Sequence, residues 1–174
     1  MKSYCLFCQT QRCRELERLL KMMGEYEVIY PRIVQRKWIN GKAKEEIHDY
    51  LPGYLFLYTE APLVNFGQFS SMGGVIRWLG ERENGFELAG SDRVFAEMLH
   101  REKGLIGIQK VYREGDRILL NDGLFCGVEA TIVSVDRRKG RAKLEFPFDG
   151  ALRGVWIGYD VIDQAKRLNE PEPA

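Results

Sequence analysis

The chain has 174 residues, of which 45% are hydrophobic and 29% charged, and a formal net charge of +1. That length suits one ordinary domain or two small ones, and so balanced a total does not announce a polyanion-binding protein. No apolar run approaches the roughly 18–20 residues that span a membrane, and the N-terminus lacks the apolar core of a secretion signal, so a cytoplasmic protein is expected.

Residues 4–8 read as a first strand. Cys5 and Cys8 are three apart, so a strand puts their thiols on opposite faces, where they cannot share one metal ion. With only two histidines in the chain, no metal site and no cofactor are expected. The four cysteines, Cys5, Cys8, Cys13 and Cys126, are expected to be small, reduced hydrophobes. A helix follows, with Leu16, Leu19, Leu20 and Met23 at i, i+3, i+4 and i+7 and a charged opposite side that includes the pair Glu17 and Lys21. Thr10 is the expected N-cap, and Gly24 sits where a left-handed C-terminal residue is wanted. Residues 26–30 form a second strand that stops at Pro31.

Residues 33–39 and 42–47 flank Asn40-Gly41, a strong two-residue hairpin signal. Many charges and no continuous apolar face predict a hairpin that protrudes into solvent. It leads into Leu51-Pro52-Gly53-Tyr54-Leu55-Phe56-Leu57-Tyr58. A helix there would be too short between its turn signals, so this uncharged run reads as a central strand. Alternation places Tyr54, Phe56 and Tyr58 on one face and Leu55 and Leu57 on the other. The aromatic face is either core or a surface for a partner; the leucine face should bury against helices. Residues 63–69 predict a short helix, residues 75–80 a strand, and Val94, Phe95, Met98 and Leu99 a last helix capped by Ser91. The first half is therefore α+β, an antiparallel sheet flanked by helices.

Residues 102–112 are expected to be a linker. Beyond it come strands at 115–120, 128–135, 143–146, 154–157 and 161–162, separated by turns such as Asn121-Asp122-Gly123 and Asp149-Gly150. Five short strands in about fifty residues predict a small β-barrel. The β-branched residues from Thr131 to Val135 argue against a helical alternative. The predicted units are residues 1–101, the linker, residues 113–166 and a disordered tail, 167–174.

In their order and spacing, Tyr4 to Phe7, Tyr30-Pro31-Arg32-Ile33, Leu51-Pro52-Gly53-Tyr54-Leu55-Phe56, Gly74-Val75-Ile76-Arg77-Trp78-Leu79-Gly80, Gly115-Asp116-Arg117-Ile118 and Asp122-Gly123-Leu124-Phe125-Cys126-Gly127-Val128-Glu129-Ala130 resemble the NusG family of bacterial transcription elongation factors. There an N-terminal NusG-type (NGN) domain is linked to a five-stranded, SH3-like KOW barrel. Several features depart from the housekeeping pattern. They include Tyr4-Cys5 at the start, a basic turn after the second barrel strand, and the aromatic segment Phe146-Pro147-Phe148-Asp149-Gly150. They suggest a specialised paralogue of the LoaP or RfaH kind.

The resemblance implies a monomeric, non-enzymatic factor that binds the clamp helices of the RNA polymerase largest subunit. Phe7, Tyr54 and Phe56 would form the polymerase-binding pocket. Arg12, Arg14 and Arg77 stand near positions that face non-template DNA in specialised members. Between Lys110 and Lys143, eight Lys or Arg residues meet five Asp or Glu, a local excess of +3. Arg137, Arg138, Lys139, Arg141 and Lys143 form its densest part, an electrostatic footprint for a nascent RNA hairpin. Phe125 stands where the family's barrel meets ribosomal protein S10 or Rho. The expected activity is processive elongation or antitermination. The rivals are a housekeeping factor coupling polymerase to Rho or the ribosome, and a KOW-type ribosomal RNA-binding protein. Nothing pairs His48 or His100 with a nucleophile, and no glycine loop cradles phosphate, so an enzyme is not expected.

Overall fold

The computed structural model describes residues 1–114, 117–120, 125 and 127–162, with the backbone alone for 113–114 and 117–120. The tail at 167–174, the end of the expected barrel at 163–166, the start of its first strand at 115–116, the turn at 121–124 and Cys126 lie outside the described residues.

The first half builds around a four-stranded antiparallel sheet. Its strands are β1 (Lys2–Cys8), β2 (Glu27–Ile29), β5 (Tyr54–Thr59) and β6 (Val75–Trp78), in the order β2-β5-β1-β6. β5 is therefore interior, as its uncharged run requires, and pairs β1 from Lys2↔Thr59 to Phe7↔Tyr54. Helix α1 (Cys13–Met23) and short helix α2 (Phe66–Ser70) cover one face, where Leu55 and Leu57 pack with Cys13, Leu16, Leu20, Phe69 and Trp78. Helix α3 (Gly90–Arg101) lies on the other face, where Phe95, Ala96 and Met98 join Phe56 and Tyr58. Cys5 and Cys8 fall in these two different clusters, and the three described cysteines are free and buried.

Some local expectations change. Thr10 opens a 3-10 turn, Thr10–Arg12, and does not cap α1, whose N-cap is Arg12. Ser91 lies inside α3, behind an Ala89 N-cap. On α1, Leu19 and Met23 stay substantially exposed while Glu17 is buried, because Glu17 pairs with both Lys21 (2.7 Å) and Arg32 (3.1 Å). Two paired cations offset the cost of burying that carboxylate. Gly24 ends α1 in the left-handed conformation, as expected.

The hairpin of β3 (Arg32–Ile39) and β4 (Lys42–Asp49) turns at Asn40 (φ 49°) and Gly41 (φ 75°), both positive as its two-residue loop demands. Its base pairs in parallel with β7 (Leu105–Ile106), so the segment after α3 is itself structured. Gly53 has φ 98°, and a Cβ there would stand 2.8 Å from Phe7 Cε2. Only glycine lets the chain pass Phe7 on its way into β5.

The C-terminal sheet has the order β10-β11-β12-β8-β9, built from β8 (Gln109–Glu114), β9 (Arg117–Leu120), β10 (Thr131–Asp136), β11 (Arg141–Phe148) and β12 (Ala151–Ile162). Two expected strands, 154–157 and 161–162, are parts of one continuous β12. Its first part pairs antiparallel with β11 and its end pairs parallel with β8. β8 falls largely within residues expected to be linker, and the second expected strand begins only at Thr131. β11 alternates strictly, with Ala142, Leu144, Phe146 and Phe148 buried, so its pattern alone defines an inner face.

Candidate functional site

Tyr54 and Phe56 are not open to solvent. They are 5% and 0% exposed, and the C-terminal sheet covers them. β11 delivers Phe146 and Phe148 by period-two alternation, and Asp149-Gly150 then turns with both φ angles positive. The Phe148 ring packs edge-on against Tyr54 at 5.3 Å between centroids, and lies 5.6 Å from Phe56 and 5.1 Å from Phe95. Phe146 stacks on Phe95 at 4.7 Å. Phe7, half-buried, flanks Tyr54 at 4.9 Å.

A polar cluster rims these rings. Tyr54 Oη donates to Asp149 Oδ2 at 2.8 Å and accepts from Arg153 Nη2 at 2.8 Å. Arg77 Nη2 donates to the same Asp149 oxygen at 2.6 Å. The Asp149 N–H donates to Asp92 Oδ1 at 3.0 Å, so the turn is held by α3 as well as by β5 and β6. Burial, then the hydrogen bond to Asp149, pushes the Tyr54 hydroxyl up to about 12 and keeps it a donor at neutral pH. Burial likewise raises the Asp92 carboxyl, and the Asp149 N–H opposes that shift.

A second tie lies at the hairpin. Arg36 reaches Asp160 of β12 at 2.5 Å and Glu45 of β4 at 3.0 Å. It stands over a cleft of about 420 Å³ lined by Trp38, Arg137, Arg138, Tyr159 and Asp160 among others.

The structure thus brings Phe7, Tyr54, Phe56 and Arg77 together. It places Arg12 and Arg14 elsewhere, on the first turns before and within α1, ion-paired with Glu15 (3.2 Å) and Asp49 (2.8 Å) respectively. Of the basic group, Arg137, Arg138 and Lys139 form the exposed turn between β10 and β11. Arg141 lies over the Trp156 ring at 4.5 Å and pairs with Asp136 at 3.3 Å, while Lys143 pairs with Glu145 at 3.2 Å. Phe125 is 8% exposed and belongs to the core cluster shared with α3, so in this arrangement it offers no surface to a partner.

A family model described as "Transcription termination factor nusG" matches residues 1–97. The chain belongs to the NusG family. NusG-family proteins are non-enzymatic transcription factors that bind RNA polymerase. A solved structure described as "Domain interaction in Thermotoga maritima NusG" has 14% sequence identity and a TM-score of 0.51, with 90% of this chain and 93% of that one covered. At that identity the likeness concerns fold alone, and it extends over the C-terminal sheet, whose strands are consistent with a KOW-like domain. No curated protein matches the chain. Among the described residues no cluster of three metal-ligating side chains occurs, and no helix is long and apolar enough to cross a membrane.

Sequence reasoning missed Asp92, Asp149, Arg153 and the cover formed by Phe146 and Phe148 in this NusG-family chain. The signal available was the aromatic segment Phe146-Pro147-Phe148-Asp149-Gly150, which departs from the housekeeping pattern. Its meaning depended on a surface more than fifty residues away in sequence.

Proposed function

We propose that this chain is a specialised NusG-family elongation factor, built from an NGN unit (1–101), a connecting segment (102–112) and a KOW unit (113–166). Its Tyr54–Phe56 face binds the clamp helices of the RNA polymerase largest subunit. The described arrangement is its closed form. One observation carries this reading: the aromatic face is capped by an element rich in charge, with Arg77, Asp92, Asp149 and Arg153 around the rings. A permanent core excludes such groups, whereas an interface with an aromatic centre and polar rim is what separable surfaces present. Interfaces between domains of one chain ordinarily open and close.

Undocking exposes Tyr54 and Phe56 to polymerase and releases Arg77 from Asp149. Arg77 can then exchange a carboxylate for a phosphate of non-template DNA. Clamped polymerase shifts towards its processive state, and no catalytic group is needed. The basic turn Arg137-Arg138-Lys139, with Arg141 and Lys143, supplies RNA contacts that select particular leader transcripts. Burial of Phe125 weighs against a housekeeping link to S10 or Rho in the closed form.

The test is co-purification of the full chain with RNA polymerase. The double variant Asp149→Ala, Arg153→Ala should bind more polymerase than the native chain. Adding Tyr54→Ala and Phe56→Ala should abolish that gain; binding retained by the quadruple variant overturns the assignment of the face. Read-through at terminators should rise only behind certain leader sequences, and an equal rise on every template would instead establish the housekeeping role.

A further inference from the structure

The cleft beneath Arg36 is made by both halves of the molecule and is not explained by docking alone. On the hairpin, alternation puts Arg36 and Trp38 of β3 on one face, across from Glu45 and Ala43 of β4. That face looks towards the end of β12, because Arg36 binds Asp160 there. Trp38 is 56% exposed, yet it lines the cleft with Ala43, Tyr159 and Val161, and the basic turn contributes Arg137, Arg138 and Gly140. Next to it, Lys139, Arg141 and Trp156 line a smaller recess shared with Gln35 and Arg36.

The charges are sorted. Arg36 engages the carboxylates of both Glu45 and Asp160, so both acidic groups of the rim are ion-paired within the hairpin and β12, with one negative charge in excess. The Arg138 guanidinium and the Lys139 ammonium have no acidic partner among the described residues. What faces solvent is therefore a large aromatic ring beside the Arg138 guanidinium in a cleft of about 420 Å³, with Lys139 on the adjoining recess. Pockets that hold a compact organic group are roughly 300–1,000 Å³. An exposed ring next to cations suits a stacked base with its phosphate, the combination by which single-stranded nucleic acid is held. A duplex stem has no free base face to offer and would use the cations only.

We propose that this cleft is a composite site for single-stranded nucleic acid, with Trp38 as the stacking platform and Arg138 and Lys139 as the phosphate contacts. Arg36 is a positioning residue that holds the hairpin against β12. The site rests on the reading of the basic turn as a nucleic-acid contact and adds that the N-terminal hairpin completes it. It exists only while the two halves are docked. A single strand held in the complete site therefore favours the closed form and leaves Trp38 before Tyr54 and Phe56 meet polymerase, whereas the basic turn keeps its own RNA contacts in the open form; a change that opens the molecule weakens single-strand binding in proportion to the closed fraction lost.

Fluorescence anisotropy of labelled 12-nucleotide single strands, RNA and DNA of one sequence, and of a duplex RNA stem, titrated with full-length protein, tests this. Loss of a stacked base costs about thirty-fold in affinity, the middle of the range for such contacts. Trp38→Ala should weaken single-strand binding by about that factor, with Trp38→Phe recovering most of it and duplex binding unmoved. The RNA and DNA arms identify which strand is the ligand. The triple change of Arg137, Arg138 and Lys139 to Glu should weaken binding to all three. Asp149→Ala, Arg153→Ala should reduce single-strand affinity without touching the cleft. If the triple variant loses binding while Trp38→Ala does not, the composite site is wrong and the basic-turn reading stands. If neither variant loses binding, both fail. Because Trp38 is exposed, its replacement should leave the fold intact, which circular dichroism would check.

Discussion

Tyr54 donates its hydroxyl proton to Asp149 across 2.8 Å, joining an interior strand of the N-terminal sheet to the β11–β12 turn. The same carboxylate takes a hydrogen bond from Arg77 at 2.6 Å and lies 3.7 Å from Arg153. A single side chain thus gathers a hydroxyl and two guanidinium groups around the edge of the aromatic contact. That contact and the Arg36–Asp160 pair at the hairpin hold the two halves of the molecule together.

Replacing Asp149 with Ala should therefore loosen docking more than any other single polar change. It leaves Tyr54 Oη and Arg77 without their acceptor, while Arg77 and Arg153 keep partial access to water, which softens the loss. A cost of about 1–2 kcal/mol is expected. That corresponds to roughly a five- to thirty-fold shift towards the open form. Trypsin cleavage after Arg153, or polymerase co-purification, would report it. Native-like protection and binding would refute the idea that Asp149 organises the contact.

Phe148 is fully buried against Tyr54, Phe56 and Phe95. Phe148→Ala should lower stability by about 3–5 kcal/mol if the two halves unfold as one. If docking breaks first, urea unfolding should split into two transitions. Either result differs from a single unshifted transition, which would show that the ring adds nothing.

Gly53→Ala probes the approach of the chain to Phe7. The residue combines φ 98° with a Cβ position 2.8 Å from Phe7 Cε2. Backbone strain alone costs about 1–3 kcal/mol. Displacing Phe7, whose ring also packs at a tilt against Tyr54, should add to this. The melting temperature should fall by several degrees, and a neutral outcome would mean that β1 and the 51–53 turn readily shift apart.

Asp92 sets a pH dependence. Burial raises its carboxyl above the ordinary 3.8, so the folded chain holds a proton that the unfolded chain has released between those two values. Stability from this group is fully present below 3.8 and is lost as pH rises through the raised value. Asp92→Asn removes the charge and keeps an oxygen for the Asp149 N–H. It should be neutral to slightly stabilising at pH 7 and should flatten the acid limb of a stability–pH curve. A clear loss of stability at pH 7 would show that the ionised form is the one the site requires.

Much of the first half was legible because its signals are local. The uncharged run at 54–58 allowed only an interior strand, Asn40-Gly41 a tight hairpin, and Gly24 a helix end. Alternation correctly separated Leu55 and Leu57 from Tyr54 and Phe56. Cap positions were less legible, since Thr10 and Ser91 have the right chemistry but the turns around them begin elsewhere. Leu19 and Met23 show the same limit: helical spacing names an apolar stripe, and the sheet covers only its Leu16 and Leu20 edge.

β11 runs two residues beyond the expected strand 143–146 at each end, and its period-two alternation buries Ala142, Leu144, Phe146 and Phe148. Alternation named the two faces of the central strand. Only the tertiary structure decided what each face leaves water against. Period-two alternation fixes a face but carries no information about a surface more than fifty residues away, and the same is true of Asp149 and Arg77, whose charges look like solvated turn and strand residues until they meet. By itself the sequence determined the family and the strands that carry its aromatic rings. The docking of one half on the other determined that those rings are covered.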